Sequence, residues 1–168
     1  LALFTGLAAC NNDNSSSEID KQNSEFDRKA MLTNIGRNVI MANYEDFASE
    51  AKNLQEATRA FTNDPTTNNL EDVRKTFKRA YKAWQYVTPY SFGPAQRMAL
   101  RDNMNTFPTD TSGIKERIRN GNKSWGPYDN ATKGFPAVGY LLFEPSSASA
   151  TVSTYQGKAG AKRAAYLK

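Results

Sequence analysis

The chain has 168 residues, 39 % of them apolar, which suits a single soluble domain or part of a larger one. It holds no histidine and one cysteine, so a Ser-His-Asp triad, a Cys-His pair, a histidine-based zinc site and an internal disulfide are all excluded from these residues. The net charge of +5 is uneven: Cys10–Thr67 carries six basic and ten acidic residues and Asn68–Lys168 sixteen and seven, a bias that either favours anionic ligands or solvates a basic helical face, with no nucleic-acid partner expected.

Leu1–Ala9 is uncharged, apolar and ends in small residues, the pattern of a secretory signal's h-region and cleavage site, and it is too short to cross a bilayer as a helix. Neither a methionine nor a basic n-region precedes it, so the sequence is expected to begin inside its signal. Leu7-Ala8-Ala9-Cys10 resembles the lipobox of bacterial lipoproteins. That resemblance implies that Cys10 is acylated and becomes the first mature residue, each buried methylene of its acyl chains adding about 0.8 kcal/mol of membrane affinity. The membrane is then the expected partner. Residues 10–25 follow as a polar tether that buries too little to order itself. Asn11 stands where Asp would resemble an inner-membrane retention signal, which points to the outer membrane of a bacterial cell envelope, on its periplasmic side or its surface.

From Phe26 to Phe61 the residues Leu32, Ile35, Val39, Ile40, Tyr44, Phe47, Ala51, Leu54, Ala57 and Phe61 recur at spacings near three and four, which predicts a long helix with one apolar face. Gly36 weakens it locally by about 1 kcal/mol relative to Ala. Asn63–Asn68 supplies a stop. A second helix follows, capped by Asn68 or Asn69, with Glu71 and Asp72 in its first turn. Its inner face is Leu70, Val73, Phe77, Ala80, Tyr81, Trp84 and Val87; Arg74, Lys75, Lys78, Arg79 and Lys82 form the outer face. It ends near Pro89, and the short link predicts an antiparallel hairpin.

Shorter pieces come next. Pro94 starts a brief helix through Arg101, Asn103–Gly113 is loop, Ile114–Arg119 a short helix, and Asn120–Thr132 a loop rich in Gly, Asn and Pro. Phe135–Phe143 is apolar on nearly every side and should be buried as a helix opening at Pro136, although periodicity alone also allows a strand. Pro145–Thr154 reads as a Ser/Ala/Thr-rich loop. The last helix contains Ala161–Leu167 and reaches Lys168 with no capping signal, as if cut within a helix.

Phe77-Lys78-Arg79-Ala80-Tyr81-Lys82-Ala83-Trp84-Gln85, Phe92-Gly93-Pro94, Phe107-Pro108-Thr109-Asp110 and Gly134-Phe135-Pro136-Ala137-Val138-Gly139-Tyr140-Leu141-Leu142-Phe143 resemble, in that order, the imelysin-like family (peptidase M75-like). The resemblance implies an all-α helical bundle, the first of two helical halves, with 26–168 as the N-terminal, truncated part of that domain. It implies an exported envelope protein, iron uptake in some relatives, and a metallopeptidase description for a founding one. The family signature is Gly-x-His-x-x-Glu at the start of a buried helix, where histidine and glutamate share one face and hold a metal or polarise a water. Here Pro136 stands at the histidine and Gly139 at the glutamate, and neither side chain binds a metal or moves a proton.

Gly134, Phe135, Pro136 and Gly139 therefore carry two readings: a ligand pocket that has changed its ligand, or a structural helix entry. Phe77, Tyr81 and Trp84 are read as core. Arg97 and Arg101 are candidates to contact an anionic group. No residue is assigned a catalytic or metal-binding role, and no cofactor is assigned; iron or another divalent metal is what the resemblance implies for the whole protein. The expected function is non-catalytic binding or uptake of a metal or metal complex by an anchored lipoprotein. Two alternatives stand beside it, a metallopeptidase-like protein whose site lies outside this sequence and an envelope interaction protein with no small ligand.

Overall fold

A computed structural model describes residues 26–122 and 124–168. Cys10, the signal stretch 1–9 and the tether 10–25 lie outside the described residues. Two units are distinguished, Leu1–Val39 and Ile40–Lys168.

In the first unit, Asp27 caps helix α1 (Arg28–Ile35), its carboxylate accepting from the Ala30 N–H at 2.8 Å. A π-helical stretch, Gly36–Met41, begins at the glycine that weakens the predicted helix. Its i→i+5 pairing interrupts the 3.6-residue repeat, and Leu32 and Ile35 before it and Val39 within it, all expected on a buried face, are exposed.

The second unit is built on a hairpin of α2 (Ala42–Asn63) and α3 (Thr67–Val87), joined through Asp64, Pro65 and Thr66. The cap of α3 is Thr66 rather than Asn68 or Asn69. Its extended backbone lets the hydroxyl accept from the Asn69 N–H at 3.3 Å, while the Asn69 side chain donates back to the Asp64 carbonyl at 2.8 Å. Because the helix starts at Thr67, Glu71 and Asp72 fall beyond its first turn.

The helices run antiparallel. Phe61 and Leu70 are fully buried near the link, Arg79 pairs with Glu50 at 3.1 Å, the Phe47 and Trp84 rings lie 5.4 Å apart, and the Tyr44 hydroxyl donates to the Tyr90 carbonyl at 3.2 Å. Leu70, Val73, Ala80, Trp84 and Val87 are buried as predicted, and Ala83 joins them; Phe77 and Tyr81 are half-buried. Full burial of side chains such as Leu70 and Val73 contributes about 1.5–3 kcal/mol each. One outer-face assignment fails, because Arg74 is half-buried and turned to another helix.

Beyond a 3-10 turn, Thr88–Tyr90, the predicted helix from Pro94 to Arg101 is split into α4 (Pro94–Arg97) and α5 (Leu100–Met104) by Ala99, whose φ of +46° breaks the α-helical run. Helix α6 (Thr111–Asn120) is longer than Ile114–Arg119, since Asp110 accepts from the Gly113 N–H at 2.8 Å and opens it within the expected loop; Gly121, at φ +69°, closes it. After a 3-10 turn at Asn130–Thr132 comes α7 (Gly134–Phe143), a helix and not a strand. The expected loop Pro145–Thr154 contains α8 (Ala148–Ser153), capped by the Ser147 hydroxyl, and α9 (Gly157–Leu167) completes the described chain.

No strand occurs among the described residues, and the fold is an all-α helical bundle. Helix α7 packs against α3, α5, α6 and α8. With Leu141 and Leu142 buried beside Phe61, Leu70, Val73 and Ile114, it carries the centre of the core. This explains its apolar character all round.

Candidate functional site

The entry to α7 is set by Gly134. Its φ is +73°, and a Cβ there would stand 2.5 Å from the Met104 carbonyl oxygen and 2.8 Å from that of Asn103. The backbone at the end of α5 therefore approaches too closely for any side chain. The strand of chain before it is tied down by Tyr166, whose hydroxyl donates to the Thr132 carbonyl at 2.6 Å.

Phe135 is 4 % exposed and forms the hub of a ring cluster, with centroids 5.1 Å from Tyr81, 5.8 Å from Phe77 and 6.3 Å from both Phe47 and Trp84. Pro136 lies in the first turn of α7, where its missing N–H leaves no helical bond unmade. Gly139, one turn later, faces the half-buried ring of Phe77, and a Cβ there would lie 3.3 Å from its Cζ. Phe77 stacks on Tyr81 at 5.9 Å with 16° between planes and meets Phe143 at 5.7 Å. Gly139 thus borders a half-buried aromatic face made of Phe77, Tyr81 and Phe143. Trp84 is 2 % exposed and its Nε1 has no partner.

The inner side of the same entry borders a cavity of about 230 Å³ lined by Gly134, Phe135, Leu54, Thr58, Met104 and Leu167, among others. Arg97 and Arg101 do not line it; both are exposed, on α4 and α5. Gly134 and Phe135 thus share one cavity, Gly139 meets the aromatic face at Phe77, and Arg97 and Arg101 lie outside the cavity lining.

The opposite end of α7 holds residues that sequence reasoning missed. A buried helix C-terminus leaves carbonyls that need donors. Arg74 donates from Nε to the Leu142 carbonyl at 2.8 Å and from Nη2 to Thr151 Oγ1 at 3.2 Å. Arg163 Nη2 donates to the carbonyls of Leu141 and Glu144, each at 3.0 Å, and the Tyr155 hydroxyl donates to the Leu141 carbonyl at 2.9 Å. The guanidinium carbons also lie over rings, Arg74 at 5.0 Å over Phe143 and Arg163 at 5.1 Å over Tyr155. Burial pushes the Tyr155 phenol up to about 12, against the opposing influence of the Arg163 and Arg74 charges. The only signal in sequence was an arginine between Val73 and Phe77, at the edge of an apolar stripe.

A second polar constellation joins α6 to the loop before α7. There the Gly126 N–H donates to Asp129, and the Arg117 guanidinium pairs with it; these, in that order, hold its carboxyl below the ordinary range. Among the described residues no group of three or more His, Cys, Asp or Glu side chains is arranged to hold a metal ion, and no helix is long and apolar enough to cross a membrane.

A buried apolar helix entered through Gly134-Phe135-Pro136, packed on an antiparallel helical hairpin, defines the chain as an all-α bundle of the kind that its Gly134–Phe143 segment suggested. The chain belongs to the imelysin family, peptidase M75, whose pattern matches residues 40–168. It is 30 % identical over 105 residues to iron-regulated protein A of Synechococcus elongatus. That match covers 62 % of this chain and 29 % of the relative, so the matched part spans less than a third of the relative's length. No solved structure matches the chain.

Proposed function

We propose that this chain is the ligand-binding body of an envelope lipoprotein that captures a metal complex without catalysing a reaction. The observation carrying this is the state of the family's signature positions. Neither Pro136 nor Gly139 offers a side-chain donor atom, and the Phe77 Cζ lies 3.3 Å from where a Cβ at 139 would stand. The residues present do not fit a bare metal ion held at this motif. What they offer instead is an aromatic face, flanked on α3 by the exposed cations Lys78 and Lys82, suited to an organic chelate with negative charge.

Iron is the metal to test first, because the Synechococcus relative is named for its regulation by iron. The anchor is Cys10, and the outer membrane is the site of attachment on the strength of Asn11. Titration of the full-length protein with ferric citrate, followed by tryptophan fluorescence, should give saturable quenching that Tyr81→Ser weakens several-fold. Quenching by ferrous or zinc salts alone, equal to that by the chelate, contradicts the proposal. Chelator-sensitive cleavage of unfolded protein substrates would replace it with the peptidase alternative.

A further inference from the structure

We infer that the apolar groove at the open end of the α2–α3 hairpin is the face by which two copies of this chain associate about a two-fold axis. The groove has a volume of about 410 Å³ and is lined by Met41, Tyr44, Tyr90, Phe92, Met98 and Leu100 with three further residues, none of them charged. Its apolar groups are presented rather than covered: Met98 is 70 % exposed, and Met41 and Phe92 are each 56 % exposed. Scattered apolar residues on a surface need no explanation, but a contiguous apolar groove marks an interaction site. Methionine and aromatic residues at the centre, with charges held to the rim, is the composition of a protein–protein interface. A small ligand is a poor occupant, because a binding pocket encloses most of its ligand and walls this exposed would leave much of one in water.

The charges beside the groove select a second copy. On the α2 side, exposed Glu45 and Asp46 follow the groove-lining Tyr44. On the α4–α5 side, exposed Arg97 and Arg101 stand next in sequence to Met98 and Leu100, with Asp102 as the one carboxylate of these two helices. One side therefore carries two negative charges and the other a net positive one. None of these five groups has an ion-pair partner among the described residues. A two-fold axis running along the groove lays the α2 side of each copy on the α4–α5 side of the other, so both contacts are between unlike charges. An anionic bilayer would instead meet three carboxylates against two arginines, a balance that opposes it. Arg97 and Arg101, candidates in sequence for an anionic contact, find it in the carboxylates of the other copy. Nine lining residues per copy, against about 20–30 a side in a standard interface, make the association weak and reversible.

The test is sedimentation velocity of the full chain carrying Cys10→Ser, in which neither an acyl chain nor a disulfide can join two copies. The chain should pass from monomer to dimer as its concentration rises through the micromolar range. Phe92→Asp with Met98→Asp should raise the dissociation constant at least about tenfold, because each lost apolar contact counts twice in a symmetric dimer. The milder pair Phe92→Ser and Met98→Ser should also raise it, with circular dichroism confirming the fold. Arg97→Glu with Arg101→Glu, and separately Glu45→Lys with Asp46→Lys, should each weaken self-association several-fold, since each leaves like charges on both sides of the groove. An equimolar mixture of these two charge variants should dimerise again, which a misfolded chain cannot do. A monomer at every concentration, a dimer indifferent to the groove substitutions, or a mixture no more associated than either variant alone would each overturn the inference. Groove-dependent flotation of a monomeric chain on phosphatidylglycerol vesicles would overturn it too, by giving the groove to a bilayer.

Discussion

Replacing Gly134 with alanine imposes two costs at one atom. The new methyl requires a left-handed backbone at φ +73°, which costs an L-residue about 1–2 kcal/mol. It also stands 2.5 Å from the Met104 carbonyl oxygen, so α5 or the first turn of α7 must move, and relief of such overpacking costs about 1–3 kcal/mol more. The sum is about 2–5 kcal/mol, which for a domain of this size lowers the melting temperature by about 10 °C. Gly139→Ala is the control, because there the added methyl meets only the edge of the half-buried Phe77 ring at 3.3 Å. Inside the helix, alanine recovers about 1 kcal/mol of propensity, so this variant should stay within about 1 kcal/mol of the parent. Thermal and urea unfolding followed by circular dichroism compare the two. A Gly134→Ala chain within about 0.5 kcal/mol of the parent would refute a glycine held there by backbone approach.

Arg74→Leu leaves the Leu142 carbonyl without its donor and should destabilise the chain by about 1–3 kcal/mol in the same unfolding assay, while Lys78→Leu should have little effect. Because the Tyr155 pKa is raised from 10.0 to about 12 in the folded state, its contribution is fully present below pH 10 and is lost as pH rises towards 12. Denaturation midpoints across that window should fall more steeply for the parent than for Tyr155→Phe. Asp129 behaves in the opposite sense. Its folded pKa is lowered, so its contribution is present above the ordinary carboxylate range and is lost as pH falls through that range and below; Asp129→Asn should flatten the acid limb of the stability profile.

The hairpin was legible because its information is periodic: Leu70, Val73, Ala80, Trp84 and Val87 repeat at helical spacing and all are buried. The buried nature of Phe135–Phe143 was legible too, from apolar side chains on every side. What escaped depends on partners remote in sequence or on single backbone angles. Arg74 looked like one more surface cation until α7, sixty-eight residues on, placed the Leu142 carbonyl against it. Pro145–Thr154 reads as loop by composition, yet burial of Thr151 and Val152 and the Ser147 cap hold Ala148–Ser153 as a helix. The brief helix after Pro94 gave no warning that Ala99 would turn left-handed.

At the candidate site, the sequence identified Gly134, Phe135, Pro136 and Gly139 as one motif but not its two sides. Only the packing puts Gly134 and Phe135 in a cavity wall and Gly139 against Phe77, with the Phe135 ring touching both sides. Arg97 and Arg101 are exposed on α4 and α5, on either side of the break at Ala99, and do not line the cavity.

The most direct measurement is the metal content of full-length protein, by elemental analysis after gel filtration, when loaded in parallel with ferric citrate and with simple ferrous, zinc and calcium salts. Co-elution of iron with its chelator, lowered by Tyr81→Ser and absent from the simple-salt samples, is the predicted result. Stoichiometric retention of a bare ion in the absence of any chelator, unchanged by Tyr81→Ser, would contradict the proposed site, whose Pro136 and Gly139 carry no donor atom.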